Sequence, residues 1–154
     1  VDFDAHHGNG TQAHFWHRAD VFYFSLHGYP MYPGSGIGLE TGEGEGAGAR
    51  LNVPLAPGSG DEAFCDALRL GIAEIRGRFE PACWLVSAGF DAHRCDPIGG
   101  LGVTEAGFAV AGRLLDVAAG ERPVVAALEG GYDLEALRAS VRSFLRGLIG
   151  AVAP

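Results

Sequence analysis

Three apolar runs separated by amphipathic segments constrain the fold of this chain more than any other feature. The runs lie at residues 21–26, 84–88 and 123–128, and each has the length of one buried strand. Between them, apolar residues recur at helical spacing over residues 61–79 and 104–118. This alternation predicts an α/β fold with a mainly parallel sheet. In such sheets, ligands bind beyond the carboxyl ends of the strands.

Shorter segments fill the spaces between these elements. We expect residues 1–5 to form the end of a strand, residues 12–19 a short helix and residues 50–55 another strand. Residues 28–49 are rich in glycine and predict a long loop, which in a compact domain is usually functional or mobile. Asp133 is placed to cap a last amphipathic helix.

Polar side chains come directly after three of the predicted strands. Asp4 and His6 are two residues apart, so their side chains point to the same side of an extended chain. Asp91 and Tyr132 each follow a later apolar run. Two carboxylates and an imidazole at one sheet edge predict a divalent-metal site that leaves a position open for water. The alternative for an isolated Asp-x-His is that its side chains cap a turn.

Composition argues against several functional classes. A net charge of −8 without a basic run does not predict a nucleic-acid interface, and no apolar run approaches the roughly 20 residues of a membrane span. The cysteines at 65, 83 and 95 form no Cys-x-x-Cys pair, which argues against a disulfide scaffold and favours a reducing, cytoplasmic location. A length of 154 residues predicts one domain over residues 1–154, and nothing in the pattern predicts an oligomeric state.

Seven motifs occur in an order typical of one known family. They are Asp2-x-Asp4-x-His6-His7-Gly8-Asn9-Gly10-Thr11-Gln12, Ser25-Leu26-His27, Tyr32-Pro33-Gly34, Asn52-Val53-Pro54-Leu55, Ser87-Ala88-Gly89-Phe90-Asp91, Asp96-Pro97 and Glu129-Gly130-Gly131-Tyr132. Together they resemble the zinc-dependent histone deacetylase superfamily, which includes bacterial class II-like histone deacetylases, acetoin-utilisation proteins and acetylpolyamine amidohydrolases. The resemblance implies a three-layer α/β/α sandwich of the arginase type. It covers the C-terminal half of the family's catalytic domain, so we expect a fragment whose N-terminal part is missing.

The resemblance also implies a zinc amidohydrolase that removes acetyl groups from acetyl-lysine or a similar acetylated amine. Asp4, His6 and Asp91 match the zinc ligands. Tyr132 matches the residue that stabilises the oxyanion formed when a metal-activated water attacks the amide. The family's adjacent histidines, which act as acid and base, lie upstream of these motifs. We therefore expect this chain alone to be catalytically incompetent or nearly so.

Further positions match supporting residues of the family. Asp2 matches a residue that orients a catalytic histidine and contacts a structural potassium ion, and Ser25 and Leu26 match further ligands of that ion. Asn9 matches a residue that orients the second catalytic histidine. A second monovalent-cation loop matches Phe15, Arg18 and Val21, mostly through backbone oxygens. Tyr32 and Ile98 match apolar residues that line the substrate channel. Gly130 and Gly131 match glycines that let the backbone pass close to the substrate.

Two other functions remain open from the sequence. A non-catalytic module could keep zinc and acyl-lysine recognition. An arginase-type ureohydrolase with two manganese ions would want another carboxylate two residues after His6, where this chain has Gly8. Glu40, Glu43 and Glu45 could attract a cationic substrate to the 28–49 loop, or they could simply be solvated.

Overall fold

Parallel strands and α-helices alternate along the chain in the computed structural model, which describes residues 1–150. The strands pair as β1 with β2 and as β3 with β4, both in parallel. The elements are α1 (Asn9–His14), β1 (Tyr23–Gly28), a 3-10 turn (Gly44–Gly46), β2 (Arg50–Leu55), α2 (Asp61–Arg78), β3 (Trp84–Ala88), α3 (Glu105–Ala119), β4 (Val124–Leu128) and α4 (Leu134–Leu148).

The first residues of the chain join the two strand pairs into one sheet. Asp2 bridges to Ser25 of β1 on one side and to Ser87 of β3 on the other, parallel to both. The Asp2 amide donates to the Phe24 carbonyl at 2.8 Å, and the Phe3 amide donates to the Ser87 carbonyl at 3.1 Å. The sheet order is therefore β2, β1, residues 1–3, β3 and β4. Residues 4–6, which follow this central segment, consequently leave the sheet near its middle.

A mainly aromatic core lies between this sheet and the long helices. Phe3 from the central segment contacts the rings of Phe64, Phe90, Phe108 and Phe144, with centroids 5.4–6.3 Å apart. All five are at most 2% exposed, so the core extends from the central segment to α2, α3 and α4. Burial of one such ring stabilises the fold by roughly 1.5–3 kcal/mol.

The opposite face of the sheet is polar near β1 and apolar near β4. Tyr23, Ser25 and His27 alternate with the core residues of β1 and face α1 and the 28–49 loop. On the other strand pair, Leu85 and Val125 are 62% and 57% exposed. Among the described residues, the long helices thus cover one face of the sheet.

The predicted α/β fold with a mainly parallel sheet is confirmed. The predicted strands at 50–55 and 84–88 match β2 and β3, and Thr104 and Asp133 cap α3 and α4 by accepting backbone N–H bonds. The helix predicted over residues 12–19 is displaced: α1 begins at Asn9. The predicted domain end at residue 154 lies outside the described residues.

Candidate metal centre and substrate site

Asp4, His6 and Asp91 meet at the carboxyl end of the sheet. The Nδ1 atom of His6 lies 3.1 Å from Asp4 Oδ1 and 2.9 Å from Asp91 Oδ2. One potential ligand atom from each side chain falls within a cluster whose members are no more than 4.8 Å apart. The structure therefore brings together the three residues that the sequence predicted as metal ligands.

Backbone hydrogen bonds hold both carboxylates in place. Asp4 Oδ1 accepts from the His6 amide at 2.8 Å, and Asp91 Oδ1 accepts from the Ala5 amide at 2.9 Å. The second bond ties the segment after the central strand to the segment after β3, which are 86 residues apart in sequence. Asp91 keeps Oδ2 for the cluster, and Asp4 Oδ1 faces the cluster while it accepts from the His6 amide, so the backbone positions both carboxylates before any ligand binds.

The electrostatics of this cluster suit a bound cation. Asp91 is fully buried, and its pKa is raised to about 6 by that burial and secondly by the nearby Asp4 carboxylate. Two carboxylates and one imidazole nitrogen are typical zinc ligands. A divalent cation would neutralise the repulsion that disfavours ionisation of Asp91. The residues present therefore fit a zinc ion, with Asp4 and His6 partly open to solvent.

A further carboxylate at position 8, as in a two-metal arginase site, does not fit. A Cβ atom on Gly8 would lie 2.3 Å from Asp2 Oδ2 and 2.5 Å from the Tyr23 hydroxyl. Any side chain there would displace buried groups of the central segment and β1. This crowding is a physical reason for glycine at the position.

The Gly130–Tyr132 segment passes directly over the carboxylate cluster. The Gly130 amide donates to Asp4 Oδ2 at 3.0 Å, and the Gly130 carbonyl accepts from the Phe90 amide at 2.7 Å. A Cβ atom on Gly130 would lie 2.5 Å from Asp91 Oδ2. Gly131 has a φ of +143°, which an L side chain rarely adopts. Both glycines thus allow a backbone approach that other residues would obstruct.

The Tyr132 side chain is accessible to solvent, and the negative charges of Asp4 and Asp91 act on its phenol group. It is 55% exposed. Its pKa is raised by partial desolvation and then by the carboxylates of Asp91 and Asp4. The raised pKa keeps the phenol protonated near neutral pH, so Tyr132 remains a hydrogen-bond donor beside the predicted metal ligands.

The two predicted channel-wall residues are on neighbouring loops. Tyr32 and Ile98 are 81% and 53% exposed. Met31, next to Tyr32, approaches the Ile98 loop: a Cβ on Gly100 would lie 3.7 Å from its Cε. Both apolar side chains are thus presented to solvent from adjoining segments.

The residues predicted to bind potassium are neighbours in the sheet. The Asp2 carbonyl accepts from the Leu26 amide at 3.0 Å, and Asp2 bridges to Ser25. Burial raises the pKa of Asp2 to about 6, against the effect of a 3.0 Å hydrogen bond from the Tyr23 hydroxyl. Because the Ser25 hydroxyl lies 2.8 Å from His27 Nδ1, the potassium site stays a prediction.

His7 and Asn9 differ in their surroundings. His7 is buried, with Nδ1 2.8 Å from Ser35 Oγ and Nε2 3.1 Å from Gln12 Oε1, so it supports the loop after β1. Asn9 is exposed at the start of α1. The predicted role of Asn9 in orienting a histidine stays a prediction.

Sequence reasoning missed the role of Arg50. This residue is 1% exposed, and its guanidinium donates to the carbonyls of Phe15, Arg18 and Val21. These are the three residues that matched a second monovalent-cation loop. An isolated arginine at the start of a strand gave no signal of this contact, because the carbonyls come from the irregular segment between α1 and β1.

Comparison with known proteins decides the family. The chain matches the histone deacetylase domain over residues 1–148. It belongs to the histone deacetylase family. Histone deacetylase 10, chloroplastic, from Oryza sativa subsp. japonica is 46% identical over 154 residues, covering 97% of this chain and 34% of the rice protein. The acetylpolyamine amidohydrolase of Burkholderia pseudomallei is 42% identical over 150 residues, covering 96% of this chain and 43% of that protein.

Solved structures of the family have the same fold. Acetylpolyamine aminohydrolase from B. pseudomallei superposes with a TM-score of 0.89 at 42% identity, covering 96% of this chain and 43% of that one. The histone deacetylase Clr3 superposes with a TM-score of 0.91 at 37% identity, and the match covers 100% of this chain and 27% of the Clr3 chain. The predicted family and fold are thus confirmed, and the chain spans less than half the length of these relatives.

Two findings bear on location. Within residues 1–150, every helix is too short or too polar to cross a membrane. The rice relative is described as chloroplastic. The cytoplasmic location expected from the cysteines stays a prediction.

Proposed function

We propose that this part of a histone deacetylase family member holds a zinc ion with Asp4, His6 and Asp91 and serves the removal of acetyl groups from an acetylated lysine or small amine. The observation that carries the proposal is the meeting of these three side chains under the Gly130–Tyr132 backbone. Family membership supplies the reaction class, since the relatives are histone deacetylases and an acetylpolyamine amidohydrolase.

Each residue has a distinct chemical task in this proposal. The bound zinc would polarise the amide carbonyl and make a neighbouring water more acidic. Tyr132 donates its O–H hydrogen bond to the carbonyl oxygen as negative charge develops there. Gly130 and Gly131 let the substrate carbonyl approach. Tyr32 and Ile98 offer apolar contact to an aliphatic stem.

Proton transfer needs groups other than His6 and His7. The Nδ1 atom of His6 faces Asp4 and Asp91. Both ring nitrogens of His7 are engaged by Ser35 and Gln12. Neither imidazole is therefore free to take a proton from water and return it to the leaving amine. We expect the 154-residue chain to hydrolyse acetyl-lysine far more slowly than full-length relatives.

Potassium would have a supporting role. Asp2, Ser25 and Leu26 would supply its oxygens, from paired strand residues next to the segment that carries Asp4 and His6. A monovalent cation there would balance the buried Asp2 charge and stabilise the strand end that holds two of the proposed zinc ligands.

Zinc stoichiometry after dialysis tests the proposed site. We expect about one zinc per wild-type chain and none in Asp91→Ala, while Glu129→Gln, which removes an exposed carboxylate nearby, keeps the metal. Circular dichroism checks that each variant is folded. Folded wild-type protein that retains no zinc would contradict the ligand assignment.

A hydroxamate separates the deacetylase site from an arginase-type site. Such a compound pairs a metal-binding head with a carbonyl oxygen that would accept a hydrogen bond from the Tyr132 hydroxyl in the proposed site. We expect zinc-dependent binding that weakens in Tyr132→Phe. Binding without turnover, even when the chain is joined to the upstream part of a relative's deacetylase domain, would favour the non-catalytic acyl-lysine-binding module.

A further inference from the structure

A cradle of carbonyl oxygens lies around the buried Arg50 guanidinium, and three of its four carbonyls come from the segment between α1 and β1. Its oxygens belong to Phe15, Arg18, Val21 and Ala49, and all four accept hydrogen bonds from the guanidinium of Arg50. The bonds to Val21 and Arg18 measure 2.5 Å and 2.6 Å. Converging carbonyl dipoles of this kind require a positive charge among them, because their partial negative charges otherwise repel one another.

The charge of Arg50 has this cradle as its main partner. Arg50 is 1% exposed. Its carbonyl partners lie before strand β1 in the sequence, as Val21 does, and after it, as Ala49 does. The acidic side chain whose charge acts on Arg50, Asp20, is exposed and already forms two hydrogen bonds with the Arg18 guanidinium, at 2.9 Å and 2.6 Å. A buried guanidinium needs hydrogen-bond acceptors, and here backbone carbonyls accept from its two terminal nitrogens, whereas its Nε has no partner among the described residues.

The same carbonyls cannot serve a monovalent cation while Arg50 lies among them. A potassium ion needs the lone pairs of several oxygens at once, and those of Phe15, Arg18 and Val21 are directed at the guanidinium. The second cation that the family resemblance implied therefore does not fit this cradle as it is built.

We infer that Arg50 is a built-in replacement for a monovalent cation: its guanidinium occupies the carbonyl cradle of Phe15, Arg18, Val21 and Ala49 and makes that site independent of potassium. The inference concerns this cradle alone. It is independent of the proposed potassium site at Asp2 and of the proposed deacetylase function. Either of these can be correct even if the inference about Arg50 is wrong.

The functional consequence is that the loop is held by a cation belonging to the chain itself and not by an ion from solution. Residues 15–21 connect α1 to β1, and α1 directly follows the segment that carries Asp4, His6 and His7. An arginine cannot dissociate when the potassium concentration falls. We therefore expect the order of residues 15–21 to be the same in potassium, sodium and choline salts.

Thermal unfolding of the 154-residue chain in potassium chloride and in choline chloride of equal ionic strength tests the inference. Arg50→Ser empties the cradle, and we expect potassium to raise its melting temperature by at least about 3 °C more than that of the wild type, since ligand binding to the native state stabilises it. Any response from the Asp2 site is common to both proteins and cancels in the comparison.

Arg18→Ser is the matched control. It removes an exposed guanidinium while keeping the Arg18 carbonyl in the cradle, so its response to potassium should equal that of the wild type. Arg50→Lys keeps a positive charge near the cradle and should respond less to potassium than Arg50→Ser. Equal potassium responses of wild type and Arg50→Ser would overturn the inference.

A thallium titration of the wild-type chain, followed by NMR, keeps the inference testable if Arg50→Ser does not fold. Thallium(I), a potassium surrogate with an NMR-active nucleus, can be titrated into the wild-type chain. Displacement of Arg50 from the cradle by thallium, seen as changed amide shifts of residues 15–21, would overturn the inference. Unchanged shifts there at saturating thallium would support it.

Discussion

The Tyr132 amide donates a 2.7 Å hydrogen bond to Asp96 Oδ2, although the two residues are 36 positions apart. The other oxygen of the same carboxylate accepts from the amides of Ile98 and Gly99, at 2.9 Å and 3.1 Å. One side chain thus joins the proposed oxyanion-stabilising residue to the loop of a proposed channel wall. Since Gly130 and Gly131 precede Tyr132, the backbone there needs such a tether to keep the phenol in place.

Replacement of Asp96 by Asn is expected to loosen Tyr132. An amide has one acceptor oxygen, so it can hold the Ile98 turn or the Tyr132 amide but not both. Loss of one charge-assisted hydrogen bond, about 1.5 kcal/mol, should weaken hydroxamate binding to the zinc-loaded chain roughly 10-fold. Hydrogen exchange of the Tyr132 amide should become faster by a similar factor.

A double-mutant cycle distinguishes positioning from general destabilisation. If Asp96 acts through Tyr132, Asp96→Asn should cost little further affinity in a Tyr132→Phe background. Asp133→Asn is the control, because Asp133 caps α4 by accepting from the Ala136 amide at 2.8 Å. Additive effects of the two changes, or unchanged Tyr132 exchange in Asp96→Asn, would refute the positioning role.

Gly130 gives a second prediction, for metal binding. An Ala Cβ at this position would lie 2.5 Å from Asp91 Oδ2 and 2.7 Å from Asp4 Oδ2, and would push these oxygens from their places. We expect Gly130→Ala to lower zinc affinity at least about tenfold, since ligand geometry determines affinity. Competition with a chromogenic chelator measures it.

Gly77→Ala is the matched control for this substitution. Gly77 lies within α2, and a Cβ there meets nothing within 4 Å. The change should leave zinc affinity unaltered and stabilise the protein by about 1 kcal/mol through helix propensity. Wild-type zinc affinity in Gly130→Ala would mean that the Asp4 and Asp91 oxygens near Gly130 do not bind the metal.

The fold was predictable because burial leaves a periodic trace in the sequence. The apolar run at 84–88 alternates in the structure, with Trp84 and Val86 buried and Leu85 exposed. The start of α1 was not predictable in this way, since Gly8-Asn9-Gly10 is typical of a turn. The expected burial of the last strand was wrong, because β4 is largely exposed among the described residues.

The candidate site was partly predictable for a different reason. Residues after parallel strands meet at one edge, so Asp4, His6 and Asp91 could be grouped from sequence position and family motifs. The tether from Asp96 to Tyr132 and the contact of Arg50 with backbone carbonyls could not. Both depend on backbone atoms of irregular segments, and a carbonyl or an amide has no residue-specific signature.

His27 gives a prediction for pH. Its Nε2 lies 3.0 Å from the Gly36 carbonyl and its Nδ1 2.8 Å from Ser25 Oγ, so the neutral ring satisfies both contacts. Burial, and secondly the facing His7 ring 4.8 Å away, lower the pKa of His27 to about 4, whereas nearby Glu40 acts in the opposite direction. The folded state therefore binds this proton less readily than the unfolded state.

The sign of the effect follows from this difference. Below the unfolded pKa of about 6.5, protons favour the unfolded chain, and the stability that neutral His27 contributes is lost as the pH falls toward 4. Between pH 6.5 and 5 the wild type should lose roughly 1.5 kcal/mol of unfolding free energy relative to His27→Asn. Urea titrations measure it, with His14→Asn, an exposed change, as the control. A constant difference across this range would contradict the prediction.

Glu40 gives the last prediction, for the loop that carries Tyr32. Its carboxylate accepts from the Gly36 amide at 2.9 Å and 3.0 Å, from the Ile37 amide at 3.2 Å and from Gln12 Nε2 at 2.6 Å. Although burial acts to raise the pKa of Glu40, these hydrogen bonds lower it overall, so the carboxylate is charged near neutral pH. Glu40 thus has a defined role in holding the loop instead of facing solvent to attract cations.

Glu40→Gln should release this part of the loop without unfolding the domain. The introduced amide group would face the Gln12 or Gly36 donors, and the loss of about 1 kcal/mol should speed hydrogen exchange of the Gly36 and Ile37 amides roughly fivefold. Glu43→Gln, an exposed change in the same loop, should leave that exchange unaltered. If the two variants exchange alike at Gly36 and Ile37, the loop is held by His7 and His27 instead, whose rings contact Ser35 and the Gly36 carbonyl independently of Glu40.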